Sequence, residues 1–369
     1  MASGLGAFVP RRASPTSASR RHALAYMAVT AAGCAATVAA CSSSGSELQA
    51  LSSASTLTPD KGATPLSAGD LAPRITPNDE LFVQSYRETP PDGDRDPETW
   101  TLAIDGLVSE RLELTLADVL ALPAAEQQFT LECIGNPVGG QLIGNAVWVG
   151  TLLRPLLERA EIKPWAKRVA FHSLDDYVTS IPVEQAMAPG VLLAYRMNGE
   201  QLPPNHGAPL RLLNPGYYGQ KCPKWLKRIE IIERDDHRGT WEQEGWSDQA
   251  AITVNSRIDE PFAGEELPET AINVTGVALG GLPGVSSVEV STDGGLSWQE
   301  ATLGPTPLPA VWTMWSYHWR IPKPGSYLLV VRATDGDGRS QPDEDVVTLD
   351  GQTAPHYVGV NVQPGAGSG

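Results

Sequence analysis

Proline and glycine interrupt this chain too often for long helices, with 31 prolines and 36 glycines among 369 residues. Proline removes a backbone donor and glycine loosens the backbone, so the folded part must be loop-rich and built of short elements. Residues 75–240 mix strands with short helices. Trp100 to Gly106 alternates apolar and polar residues as a strand does. Thr115-Leu-Ala-Asp118 opens a helix with a threonine cap and an acid in its first turn. Residues 150–160 predict a second helix with Leu152, Leu153, Leu156 and Leu157 on one face, and residues 169–173 and 178–182 predict strands. This is an α+β pattern.

A second pattern begins near Gln249 and defines a domain over residues 248–350. Strands are predicted at 272–279, 285–291, 297–303, 312–321 and 326–334, with hairpin signals at Asp293-Gly294-Gly295 and Asp335-Gly336-Asp337-Gly338. About seven strands in about 100 residues, without helices, suggest an all-β immunoglobulin-like sandwich. Residues 351–369 read as a loosely ordered tail.

Residues 1–41 carry Arg11, Arg12, Arg20 and Arg21 and no acid. Arg20-Arg21 has the twin-arginine pattern, an uncharged stretch follows to Ala40, and Val38-Ala39-Ala40-Cys41 closes the segment. This is a signal peptide. Cys41 is either lipidated, which would anchor the exported protein to a membrane, or simply lies beside a cleavage site. Residues 42–74, rich in Ser, Ala, Thr, Gly and Pro, read as a flexible linker. The expected location is periplasmic or at the cell surface.

Formal charge is −16 over the whole chain; without the four leader arginines, 23 bases face 43 acids, a net of −20. Nucleic acid needs a basic footprint and is excluded as a partner. An acidic surface favours a basic partner. Zinc is not expected, since neither His-Glu-x-x-His nor paired Cys-x-x-Cys occurs.

Two cysteines lie in the folded part. Cys133 ends the strand-like run Phe129-Thr-Leu-Glu-Cys133 and begins a glycine-containing turn, and Cys222 lies in Lys221-Cys222-Pro223-Lys224-Trp225. Cys133 could be a soft metal ligand, a nucleophile or an inert apolar residue, and the two could pair in an oxidising compartment.

Residues 75–350 resemble the sulfite oxidase family of molybdopterin-dependent oxidoreductases, comprising its catalytic domain and its Mo-co dimerisation domain. The motifs, in order, are Ile104-Asp-Gly106-Leu, Thr130-Leu-Glu-Cys133-Ile-Gly-Asn136, Tyr195-Arg-Met-Asn198-Gly199, His206-Gly-Ala-Pro-Leu-Arg211, Lys224-Trp225-Leu-Lys-Arg, Ile258-Asp-Glu-Pro261 and Ser291-Thr-Asp-Gly-Gly-Leu-Ser-Trp298. The resemblance implies that Cys133 gives its thiolate to molybdenum, beside a dithiolene from the pterin. It implies cofactor contacts from His206, Arg211 and Lys224, with Lys221 and Cys222 nearby. An aspartate contact falls on Asp175 or its rival Asp176, and Phe82, Gln84, Ser85 and Tyr86 match the segment lining the other side.

The substrate pocket departs from the family pattern. The family's Phe-Val-Arg-Asn-His is Phe82-Val83-Gln84-Ser85-Tyr86 here, so Gln84 replaces the arginine that binds an anionic substrate. Val138 stands where the Cys-Ala-Gly-Asn-Arg-Arg run has a second base, and Trp246 replaces the active-site tyrosine. Charge-assisted contacts are about twice as strong as neutral ones, and an indole cannot relay a proton as a phenol can. Lys221 could supply replacement charge.

The resemblance implies two-electron oxygen-atom transfer on a small oxyanion or other oxo substrate. Candidates are sulfite being oxidised or a sulfoxide being reduced. No Cys-x-x-Cys-His haem motif occurs, so electrons would pass to or from an external carrier such as a cytochrome c. A homodimer is plausible from the second domain. The contrasting reading is a non-enzymatic surface lipoprotein whose first domain is a relic.

Overall fold

The computed structural model describes residues 63–344 and 348–364. The expected signal peptide, including Cys41, lies outside the described residues. Among those residues no helix is long and apolar enough to cross a membrane.

The first domain contains β1 (Thr101–Gly106), β2 (Leu112–Thr115), α1 (Leu116–Leu120), β3 (Ala124–Glu132), β4 (Ile143–Leu152), α2 (Leu153–Ala160), β5 (Arg168–Ser173) and β6 (Val178–Pro182). It continues with α3 (Val183–Ala186), β7 (Leu192–Met197), β8 (Glu200–Gln201), β9 (Arg211–Leu213), β10 (Leu226–Ile232) and α4 (Thr240–Gln243). One sheet runs β2-β1-β10-β5-β6; the other runs β3-β4-β7-β8, with β9 also on β7. The helices span only four to eight residues, so this α+β domain is mostly β, as the proline and glycine content demands.

Thr115 caps α1 as expected: its Oγ1 accepts from Asp118 N at 3.1 Å and Asp118 Oδ2 accepts from Thr115 N at 2.9 Å. The second helix starts later than expected, at Leu153, because residues 150–152 still belong to β4. A β-carbon on Gly150 would lie 2.2 Å from the Leu193 carbonyl oxygen, so glycine allows this close pairing of β4 with β7. The helix's buried face is Leu153, Leu156, Leu157 and Ala160; Leu152 remains exposed.

The second domain contains β11 (Asn255–Glu260), β12 (Glu266–Pro268), β13 (Ala271–Leu279), β14 (Val285–Ser291), β15 (Gln299–Glu300), β16 (Thr302–Leu303), β17 (Thr313–Arg320), β18 (Gly325–Asp335) and β19 (His356–Gln363). Sheets β11-β13-β17-β16 and β12-β19-β18-β14-β15 share one core, in which Val274, Trp315 and Trp319 meet Val288, Leu329 and Val360.

Two expectations are corrected here. The predicted tail over 351–369 contains β19, which lies between β12 and β18 and buries Val358, Val360 and Val362. Its apolar residues alternate, and that period holds it in the sheet. The linker over 42–74 is packed at its described end. Leu71 is buried among Val277, Leu279 and Met314, Ala63 N donates to Ala271 O at 2.7 Å, and Arg74 pairs with Asp259 at 2.6 Å.

Candidate active site

Cys133 directly follows β3, which pairs with β4 along its whole length. Its N–H donates to Leu142 O at 2.9 Å, and Asn136 N returns to Cys133 O at 2.9 Å, closing the turn. Asn136 Oδ1 then accepts from Leu142 N at 2.9 Å. Cys133 and Cys222 are both free thiols, so the pairing left open by the sequence does not occur. Burial pushes the Cys133 thiol up to about 11, the Glu132 carboxylate adds to this, and a hydrogen bond from the Gly135 backbone opposes it. The surroundings therefore do not make a resting thiolate, which speaks against a free nucleophile. A cationic metal would supply the missing stabilisation on binding.

A second group of side chains is cationic. His206 ends a short turn, Pro204–His206, and its Nε2 donates to Asn78 O at 2.8 Å. Arg211 begins β9, donates to His206 O at 2.9 Å and to Cys222 O at 3.2 Å, and lies 5.1 Å over the Trp148 ring. Its Nε is buried with no partner. Lys224 donates to Ser85 Oγ at 2.6 Å and to Asn205 O at 2.8 Å. Gly207, at φ +116°, lets these chains converge, since a β-carbon there would stand 3.0 Å from the Cβ atoms of both Arg211 and Lys224.

Burial depresses all three bases, and repulsion from neighbouring cations adds to this at His206 and Lys224. Desolvation, then Arg211 and Lys224, pushes His206 down to about 4. Desolvation, then Arg211, pushes Lys224 down to about 7. Desolvation lowers Arg211 to about 10. Asp175 is buried, which raises its carboxyl, while Lys224 pulls the other way. Crowded, partly desolvated cations with an orphaned Nε suit a bound anion, and a phosphate would relieve both penalties. Asp176 instead is exposed, pairing with Arg87 at 2.7 Å and Lys227 at 3.9 Å. Of the two rivals, Asp175 faces the cluster.

Lys221 corrects an expectation. Its ammonium is buried and donates to Glu242 Oε1 at 2.5 Å and to Ser180 O at 3.0 Å, with Asp248 at 3.5 Å. It is committed to α4 and cannot reach out as replacement charge. Cys222 is buried beneath the cluster, its Sγ accepting from Asn214 N at 3.4 Å. Trp246 comes to the Cys133 turn at Gly135: a β-carbon on Gly135 would lie 3.5 Å from its indole and 3.9 Å from Cys133 Sγ. Tyr86 meets Trp241 edge-on at 5.8 Å, and Trp246 N donates to Trp241 O at 3.1 Å, which links these aromatic residues. Ser85 touches Lys224, Phe82 packs against the core cluster that includes Leu81 and Phe129, and Gln84 is half-buried.

Two further buried residues lie in the region of Cys133. Tyr218 has its phenol pushed well up by burial, then by Glu132, with a smaller contribution from Cys133. It begins the segment that ends at Cys222, whose carbonyl binds Arg211. Glu132, buried beside Cys133, is raised to about 7 by desolvation, against hydrogen bonds from Asn136 and Asn255. Sequence reasoning passed over Glu132; an acid closing an apolar strand was the available signal.

The family models for the oxidoreductase molybdopterin binding domain and the Mo-co oxidoreductase dimerisation domain match residues 88–241 and 247–364. The chain belongs to the sulfite oxidase family of molybdopterin-dependent oxidoreductases. It is 34% identical over 316 residues to mitochondrial sulfite oxidase of Macaca fascicularis, covering 73% of this chain and 57% of that protein. Against sulfite oxidase of Gallus gallus it is 30% identical, covering 73% and 68%. Against NADH nitrate reductase of Cichorium intybus it is 30% identical, covering 75% and 37%. The sulfane dehydrogenase SoxCD structure from Paracoccus pantotrophus superposes with a TM-score of 0.63 at 26% identity, covering 73% of this chain and 74% of that one. The family's cofactor is molybdenum held by molybdopterin, and the cationic cluster and the lone thiol of Cys133 fit it. Among the described residues no group of three or more His, Cys, Asp or Glu could hold a metal alone. A metal bound through Cys133 would thus arrive with other donors.

Proposed function

We propose that this chain is an exported molybdenum oxidoreductase performing two-electron oxygen-atom transfer, with sulfite as candidate substrate and a cytochrome c as candidate electron carrier. The observation that carries it is the cluster of buried His206 and Arg211 with half-buried Lys224 and an orphaned Arg211 Nε, held to Cys222 O at the end of a segment whose Gly219 packs on the backbone of Glu132, next to Cys133. Arg211 and Lys224 would take the pterin phosphate, neutral His206 would stay on Asn78 O, and Cys133 would be the protein's ligand to the metal. When bound, the cofactor supplies a centre that exchanges an oxygen atom and two electrons with substrate. Twin-arginine export fits a protein loaded with cofactor before it crosses the membrane. Lipidation at Cys41 would anchor it, and the second domain, read as immunoglobulin-like, would support a homodimer.

A second reading is reduction of a neutral oxo compound such as a sulfoxide. Two observations favour it: Lys221 is sealed in its ion pair with Glu242, and the indole of Trp246 packs on Gly135 in the Cys133 turn. Neither neutralises a sulfite anion.

Molybdenum and pterin are to be measured on purified protein, followed by two assays on the loaded enzyme. Sulfite-dependent reduction of cytochrome c supports the first reading, and sulfoxide-dependent oxidation of a reduced dye supports the second. Protein without metal or pterin, from a host that makes the cofactor, would overturn both in favour of a binding protein.

A further inference from the structure

We infer that the second domain holds the Cys133 turn in place within one chain, with Asn255, Arg257 and Gln352 as positioning residues for the thiol. This rests on the reading of Cys133 as the metal's protein ligand. It gives the second domain a task besides assembly.

The contacts run along the whole turn. Glu132, 3% exposed, shares its carboxylate between Asn136 Nδ2 inside the turn and Asn255 Nδ2 on β11, each at 3.0 Å. Arg257 Nη1 donates to Gly140 O at 2.6 Å, while its Nε is held by Asp259 at 2.7 Å. Val138 N donates to Gln352 Oε1 at 3.3 Å. Gly139, at φ +73°, passes so close to His356 that a β-carbon would lie 2.2 Å from the imidazole Nε2. His356 is itself fixed, its Nδ1 accepting from Ile258 N at 3.0 Å. Upstream, β3 is pinned too, since Trp312 N donates to Thr130 Oγ1 at 2.9 Å and Thr130 N to Ala310 O at 3.3 Å.

Residues 138, 139 and 140 therefore each meet a different side chain of the second domain, and a buried carboxylate bridges the same gap beside Cys133. Such an arrangement is costly to leave half-made, because a buried carboxylate without its donors bears its full desolvation penalty. It also has a use. A ligand thiol must sit within about half an ångström of its productive position. Removing the partners that orient a metal ligand commonly costs ten- to a hundredfold in metal affinity or activity.

The test uses the molybdenum-loaded protein and its Asn255→Ala, Gln352→Ala and Gln352→Glu variants. Arg332→Ala serves as a control for general loosening of the second domain, since Arg332 pairs with Glu289 on β14. The readouts are molybdenum per chain and the Mo(V) electron paramagnetic resonance signal during a redox titration, which needs no substrate. Asn255→Ala and Gln352→Ala should keep their molybdenum but show shifted, broadened Mo(V) signals and roughly tenfold lower turnover. Gln352→Glu, which keeps an acceptor for Val138 N–H, should restore the signal, and Arg332→Ala should never lose it. Parental signals in both alanine variants would overturn the inference. If Asn255→Ala fails to fold, the two Gln352 variants decide the question alone. If the parent itself holds no molybdenum, the proposed function fails instead. Amide hydrogen exchange over residues 133–142 then decides the inference: faster exchange in the alanine variants supports it, and unchanged exchange overturns it.

Discussion

Cys133 and Lys224 carry the sharpest predictions at the scale of single residues. Cys133→Ser keeps the turn's backbone bonds, which use Leu142 and Asn136 rather than the thiol. The variant should bind pterin through the cationic cluster yet lose turnover, because a hydroxyl is a poor substitute for a soft thiolate donor. Pterin content and activity, measured together, check this; full activity would remove Cys133 from the metal site. For Lys224, the folded-state pKa is about 7 against an ordinary 10.5. Above pH 10.5 neither state is charged and nothing is lost. Between 10.5 and 7 the unfolded chain binds a proton that the folded chain refuses, so stability falls as pH falls. Below 7 both states are charged and the folded state bears the whole penalty. The stability difference between Lys224→Met and its parent, without cofactor, should therefore move in favour of Met as pH drops from about 10.5 to 7 and then level off. Denaturant melts across that range would show it, and a pH-independent difference would contradict it. The same variant should bind pterin less well. Family motifs, rather than residue types alone, marked Cys133, Arg211 and Lys224 as site candidates. Lys221 was not legible, because its role depends on Glu242 and Ser180, which only the fold brings to it.

At the scale of elements, legibility followed local period. The capped start of α1 and strands β13, β14, β17 and β18 could be read from alternation and turn residues, since each signal lies within a few neighbours. The late start of α2 could not be read, because the fate of residues 150–152 depends on β7, some forty positions away. The misread element was β19. Its alternating valines follow the last hairpin signal, and only pairing with both β18 and the short parallel β12 makes it central. Val360→Asp, placing a carboxylate in that shared core, should cost on the order of 4 kcal/mol or more and leave little folded second domain. Expression yield and a thermal melt measure this. Val360→Ile should be tolerated. A Val360→Asp protein that melts like its parent would return the segment to the status of a tail.

For the molecule as a whole, charge decides what approaches it. The acids outnumber the bases by 43 to 27, a margin that would widen to 43 against 23 on cleavage of the proposed leader with its four arginines. Individual surface pairs such as Arg87 with Asp176 contribute little to stability, but an unbalanced charge of this size acts at a distance. A basic electron carrier would be drawn in at low ionic strength, where the Debye length is about 30 Å at 0.01 M, and much less so at 0.15 M, where it is about 8 Å. Reduction of a basic cytochrome c by the loaded enzyme should therefore slow by roughly tenfold or more over that range. The loss should appear in the second-order rate at low carrier concentration. Turnover with a small neutral dye should stay level, because an uncharged partner is not drawn in by the acidic surface and salt has nothing to screen. A carrier rate that ignores salt would mean that the acidic surface is not where electrons leave. The search would then turn to a neutral, membrane-bound acceptor.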